Sequence, residues 1–226
     1  MDRERWAAVM FDLDGTLLDT RPGIRASLVH ALREAAGLQT LPREPEWSQP
    51  IAALVERLLP DSAIGERGAV VASFRAHYDG GLWAEARLFP GAKACLEELC
   101  STGLRCFLVT NKRQTATNRL LDCFGLARYF EAVVAQPDEG DPLPKTMLAG
   151  TCLADAGLVP GVVAVVGDSD HDATMAAAWG MTFIAITSGT GPLSGGPANA
   201  ERVEVGSLSD AASFLVNRLR GGHREP

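Results

Sequence analysis

Short apolar runs, separated by stretches of helical periodicity, set the rhythm of this chain. Ala7 to Phe11 is unbroken and apolar, the pattern of a strand buried on both faces. Leu104 to Val109, Ala132 to Ala135, Val162 to Val166 and Thr182 to Ile186 repeat that pattern. Between them, Ala92 to Thr102, Thr115 to Phe124, Thr146 to Ala156 and Ala173 to Trp179 read as helices. Strands alternating with helices predict a parallel sheet covered on both faces. Arg202 to Val205 reads as an edge strand and Ser209 to Leu219 as a closing helix. Ser188 to Asn199, rich in Gly and Pro, reads as loop, and Gly221 to Pro226 as a frayed tail.

One region breaks the rhythm. Pro22 and Gly37 bracket a helix with Ile24, Leu28, Ala31, Leu32 and Ala35 on one face. Leu41 to Pro50 reads as a loop, and Ile51 to Leu59 and Ala63 to Tyr78 as amphipathic helices. No convincing strand lies between Asp19 and Phe89. The expected architecture is a Rossmann-like α/β core, residues 1–18 and 88–226, with a small helical cap domain, residues 19–87, inserted after the first strand. Helices so few bury little alone, so the insert is expected to act as a lid, hinged near Leu17 to Arg21 and Arg87 to Gly91.

The first strand ends in Asp12-Leu13-Asp14-Gly15-Thr16. Carboxylates two apart on an extended chain point the same way, and Gly15 lets the chain turn aside. Like charges that close repel unless a cation or shared proton relieves them. Mg²⁺, which takes oxygen ligands beside phosphate, is the obvious relief. A calcium loop also opens Asp-x-Asp, but it needs Gly at its sixth place and Glu at its twelfth. Here those places hold Leu17 and Gly23, which excludes it.

Three further stations carry chemistry. Thr110-Asn111-Lys112 follows a strand, where a hydroxyl and exposed N–H groups suit a phosphate. The plainer alternative is that Thr110 or Asn111 caps the next helix. Gly167-Asp168-Ser169-Asp170-His171-Asp172 follows another strand and repeats the placing of Asp12. Asp172 stands about one helical turn beyond Asp168. Asp170 and His171 are read as facing solvent. Lys145 precedes the helix that leads to the Asp168 strand, within reach of the same end of the sheet. Four carboxylates, one lysine and a phosphate share a small volume only with a divalent cation, as in a phosphoryl-transfer centre.

Composition narrows the partners. Hydrophobic residues make up 46% of the 226 and charged ones 22%, an ordinary globular mixture. The net charge of −7 argues against nucleic acid or an anionic membrane as partner. A small phosphorylated metabolite remains compatible, because a bound metal reverses the local field. The five cysteines, without Cys-x-x-Cys, fit buried thiols in a reducing, cytoplasmic setting. The charged N-terminus makes a poor signal peptide, and no apolar span approaches membrane length. Monomer and homodimer both remain open.

The set Asp12-x-Asp14-Gly15-Thr16, Thr110-Asn111, Lys145 and Gly167-Asp168-Ser169-x-x-Asp172 resembles the haloacid dehalogenase superfamily over nearly the whole chain. The helical insert resembles that of its phosphoglycolate phosphatase-like branch. The resemblance implies Asp12 as the nucleophile that becomes an aspartyl phosphate, and Asp14 as acid, then base. It implies Mg²⁺ held by the side chains of Asp12 and Asp168 and the backbone carbonyl of Asp14. Thr110, the Asn111 backbone and Lys145 would grip the phosphate, Asp172 would orient Lys145 or a metal-bound water, and Thr16 would support the turn and Asp14.

There are departures. The family often has Lys-Pro where this chain has Lys145-Thr146, a small residue where it has Trp179, and a Gly-containing loop near Trp47 to Ile51. Arg43, Trp47 and Gln49 are candidate substrate contacts, Trp47 alternatively a core aromatic. The expected activity is Mg²⁺-dependent hydrolysis of a small phosphomonoester. The alternatives are a sugar phosphomutase of the β-phosphoglucomutase type, which often carries Val in place of Thr16, and a catalytically silent phosphate-binding regulator. The dehalogenases that name the superfamily lack the second acid.

Overall fold

A computed structural model of the chain describes residues 6–47, 49–188, 193 and 201–221, with side chains described as far as residue 219. Most of the 188–199 loop, the tail after Gly221 and Ser48 lie outside the described residues.

The first strand, β1 (Ala8–Phe11), is buried along its whole length. The chain then passes through β2 (Leu18–Asp19), α1 (Arg21–Ala36), α2 (Ile51–Leu58), α3 (Arg67–Asp79) and β3 (Arg87–Leu88). After β3 comes the expected alternation: α4 (Ala92–Ser101), β4 (Arg105–Arg113), α5 (Gln114–Phe124), β5 (Ala132–Gln136), α6 (Lys145–Ala156), β6 (Val163–Gly167), α7 (Asp170–Trp179), β7 (Thr182–Ile186), β8 (Arg202–Val205) and α8 (Leu208–Gly221).

Six strands form one sheet in the order β5-β4-β1-β6-β7-β8, every neighbouring pair parallel. The chain steps from β1 to β4 and β5 on one side, then crosses to β6, β7 and β8 on the other. The reversal falls at β1, and ligands of open parallel sheets bind beyond the strands' carboxyl ends at such a point. Phe11 pairs with Leu108 of β4 and Val166 of β6, so the residues after these three lie side by side. Apolar side chains cover both faces. Phe11, Phe107 and Phe183 are fully buried, each worth about 1.5–3 kcal/mol relative to exposure.

The chain divides into two compact units, residues 1–18 with 88–226, and 19–87. In the second, α1 carries Pro22 in its first turn, where a missing N–H costs nothing, and stops at Gly37. Its buried face is Gly23, Ser27, Leu28, Ala31 and Leu32, with Ile24 and Ala35 only half-buried. The single helix expected from Ala63 to Tyr78 is two elements, a 3₁₀ segment Asp61–Glu66 and then α3. Gly65 and Gly68, both poor helix formers, flank the change. Two short strands also escaped the sequence reading, because two-residue β2 and β3 are too brief to show alternation. Among the described residues no helix is long and apolar enough to cross a membrane.

Candidate active site

The strand that begins the sheet also begins the site. The Asp12 N–H donates to the Val166 carbonyl at 3.0 Å, carrying the ladder one residue past β1 and fixing the carboxylate at the sheet's edge. Gly15 then takes φ 86°, a left-handed conformation that side chains resist. Its N–H donates to Leu18 O, and Leu17 and Leu18 donate to Leu13 O. This tight turn tucks Thr16 fully inside, where its hydroxyl donates to Asp168 Oδ1 at 2.9 Å. Thr16 therefore braces Asp168, where the resemblance implied Asp14.

Lys145 begins α6 and is buried among carboxylates. Its ammonium donates to Asp12 Oδ1 at 2.5 Å and lies 2.6 Å from Asp172 Oδ1. Oxygens of Asp12, Asp168 and Asp172 all fall within 4.8 Å of one another. Burial is the main force on Asp12 and pushes its carboxyl up; Lys145 pulls it down, and Asp172 and Asp168 push it up again, to about 8. Burial lowers Lys145, but Asp12 and Asp172 outweigh it and hold the ammonium well above the ordinary lysine range.

Asp172 is held from below. Ser169 and Asp172 form a reciprocal capping box at the start of α7: Ser169 N–H donates to Asp172 Oδ2 at 3.1 Å, and Asp172 N–H donates to Ser169 Oγ. The Ser169 hydroxyl donates to the same Oδ2 at 2.6 Å. Asp172 thus turns Oδ2 to Ser169 and Oδ1 to Lys145. Gly167 makes room, since a Cβ there would sit 2.4 Å from Asp172 Cγ.

Asp14 takes a second lysine: Lys112 donates to both its oxygens at 3.1 Å. Asp12 and Asp14 thus take different lysines. Lys112 was not singled out by the sequence; the available signal was a second lysine two places past Thr110.

Thr110, Asn111 and Lys112 are not a strand-to-helix turn. They lie inside β4, and α5 begins later, after Arg113, without a side-chain cap. Thr110 is buried and its hydroxyl accepts the Lys112 N–H at 3.2 Å, whereas Asn111 is exposed. Asp170 and His171 are half-buried in the first turn of α7 rather than facing solvent. Trp179 donates from Nε1 to Thr146 O at 2.9 Å and rests on Gly150. In the helical unit Arg43 is exposed, Trp47 donates to Glu44 at 3.2 Å, and Gln49 N–H donates to Glu46 O.

The donor set fits Mg²⁺. Asp12 and Asp168 offer only oxygen, and the one ammonium of Lys145 stands against three buried carboxylates. A divalent cation would offset both the burial and the carboxylate repulsion that push Asp12 up.

Comparison with known proteins agrees with this geometry. The family model for haloacid dehalogenase-like hydrolases matches residues 9–186. A phosphoglycolate phosphatase of Cereibacter sphaeroides is 36% identical over 189 residues, covering 80% of this chain and 85% of that protein. The tyrosine-protein kinase PtkA of Mycobacterium tuberculosis is 30% identical over 184 residues, 81% of this chain but only 62% of that protein. The solved haloacid dehalogenase-like hydrolase SP0104 of Streptococcus pneumoniae superposes with a TM-score of 0.76 at 23% identity, covering 92% of this chain and 98% of that one.

Proposed function

Since the chain belongs to the haloacid dehalogenase-like hydrolase family, with phosphoglycolate phosphatases among its relatives, we propose that it is a Mg²⁺-dependent phosphatase that hydrolyses a small phosphomonoester through an aspartyl phosphate on Asp12. The observation that carries this reading is the buried Asp12 carboxylate at the switch point of the sheet, held by Lys145 and grouped with Asp168.

Asp12, Asp168 and the Asp14 carbonyl would hold Mg²⁺, which when bound neutralises phosphoryl oxygens and lets Asp12 stay ionised. Lys145 keeps Asp12 in one orientation before substrate arrives and offers its positive charge to the phosphoryl group afterwards. Thr110 and the Asn111 backbone donate to the remaining oxygens. Asp12 forms a bond to phosphorus as the ester bond breaks, and Asp14 gives the leaving oxygen its proton. Asp14 then takes a proton from the water that attacks the phosphorus, releasing phosphate and restoring Asp12.

Hydrolysis of p-nitrophenyl phosphate that requires Mg²⁺ and disappears in Asp12→Asn is the expected result. Activity surviving that substitution contradicts the nucleophile assignment. Transfer between sugar positions without phosphate release would instead identify a mutase. A panel of phosphorylated metabolites ranked by kcat/KM then gives the substrate.

A further inference from the structure

The ladder between β4 and β5 is interrupted beside the site. Val109 pairs with Val134 and Arg113 with Gln136, so Thr110, Asn111 and Lys112 stand opposite Ala135 alone. This is a bulge of the kind that re-aims side chains next to active sites, and it leaves backbone groups without their usual ladder partners. The residue where pairing resumes is Gln136, a buried amide closing an otherwise apolar strand.

The Gln136 side chain reaches two places. Its Nε2 donates to Asn111 Oδ1 in the bulge at 3.3 Å. The same amide pairs with the backbone of Leu143: Nε2 donates to Leu143 O at 2.7 Å, and Leu143 N–H donates to Oε1 at 2.8 Å. Leu143 is separated from Lys145 by Pro144, whose ring holds φ at −56°. Holding Leu143 therefore constrains how the chain enters α6, and with it where Lys145 starts. The six residues between Gln136 and Leu143 include Asp138, Glu139 and Asp141, all in an exposed or half-exposed loop that could not fix Lys145 by packing.

We propose that Gln136 is a positioning residue, which sets the β4 bulge and the start of α6 against each other so that Asn111 and Lys145 meet one phosphate. The inference rests on the phosphatase reading of the site. Gln136 touches no reacting atom; it acts through Asn111 and Leu143.

The test uses the full chain with Mg²⁺. Inorganic phosphate affinity is measured by calorimetry, alongside kcat and KM for p-nitrophenyl phosphate and Tm, in Gln136→Ala, Gln136→Glu, Asn111→Ala and the Asn111→Ala/Gln136→Ala double variant. Loss of hydrogen bonds to two partners is expected to weaken phosphate binding about 10-fold in Gln136→Ala. Gln136→Glu keeps shape and the acceptor for Leu143 N–H but loses both donations, so it should behave as Gln136→Ala does. Asn111→Ala should cost less in the Gln136→Ala background than in the parent chain, the mark of a shared path. Phosphate affinity within about twofold of the parent in both Gln136 variants, or additive effects in the double variant, would overturn the proposal and leave Gln136 a stabilising residue only. A parent chain that binds no phosphate would contradict the reading of the site itself, and this inference with it.

Discussion

Two lysine–aspartate pairs stand at the same end of the sheet and differ in burial. Lys145 holds Asp12 and Asp172 where water is excluded, and Asp172 has no exposed side-chain surface. Lys112 holds both oxygens of Asp14, whose side chain is 30% exposed. A buried pair cannot be dismantled cheaply, because removing one partner strands a charge in a low dielectric. In the second pair the Lys112 side chain is also buried, only 8% exposed, so the difference lies in Asp14, where water reaches the carboxylate and can replace a lost contact. On the proposed mechanism Asp12 is thus held fixed, while Asp14, the proposed acid and base, keeps access to solvent.

The sharpest way to break this contrast is Lys145→Ala. In EDTA it should cost about 3–5 kcal/mol in urea unfolding, by leaving buried carboxylates uncompensated. A loss no larger than that of Lys112→Ala would erase the distinction. Gly167→Ala should come next: a Cβ at 2.4 Å from Asp172 Cγ forces the lysine's orienting carboxylate to move, at about 1–3 kcal/mol. Lys112→Ala should cost about 1 kcal/mol or less in stability yet lower kcat, because Asp14 loses its support without being stranded. At the small end, Glu44→Ala, which removes the exposed Arg25–Glu44 pair, should leave Tm unchanged.

The pH dependence sharpens the same comparison. Asp12 binds its proton more tightly in the folded chain, with its carboxyl raised from 3.8 to about 8. Between those values the native state holds the extra proton, so metal-free stability should fall as pH rises through that window. Asp12→Asn should remove that part of the slope, and Mg²⁺ should flatten it in the parent chain. Denaturant melts across the window, with and without Mg²⁺, check both. An unchanged slope in Asp12→Asn would mean that other groups set it.

Much of this was legible in the sequence. Asp12 and Asp168 announced themselves because each directly follows or closes an apolar run, and a buried parallel strand leaves few other places for a carboxylate. Pro22 and Gly37 marked α1 because both act through local backbone chemistry. The convergence of Asp12, Lys145 and Asp168 was expected from their shared end of a parallel sheet and was reinforced by the family resemblance, whereas the strand order that produces it is not encoded in local spacing. The bulge at Thr110 to Lys112 and the reach of Gln136 were hidden for the same reason: each is defined by the neighbouring strand.

The most direct test of the account is to stop a turnover in acid, reduce the protein with borohydride and map the modified residue by mass spectrometry. An aspartyl phosphate at position 12 would be recovered there as homoserine, dependent on Mg²⁺ and substrate. Modification at another residue, or none during active turnover, would contradict attack by Asp12 on phosphorus.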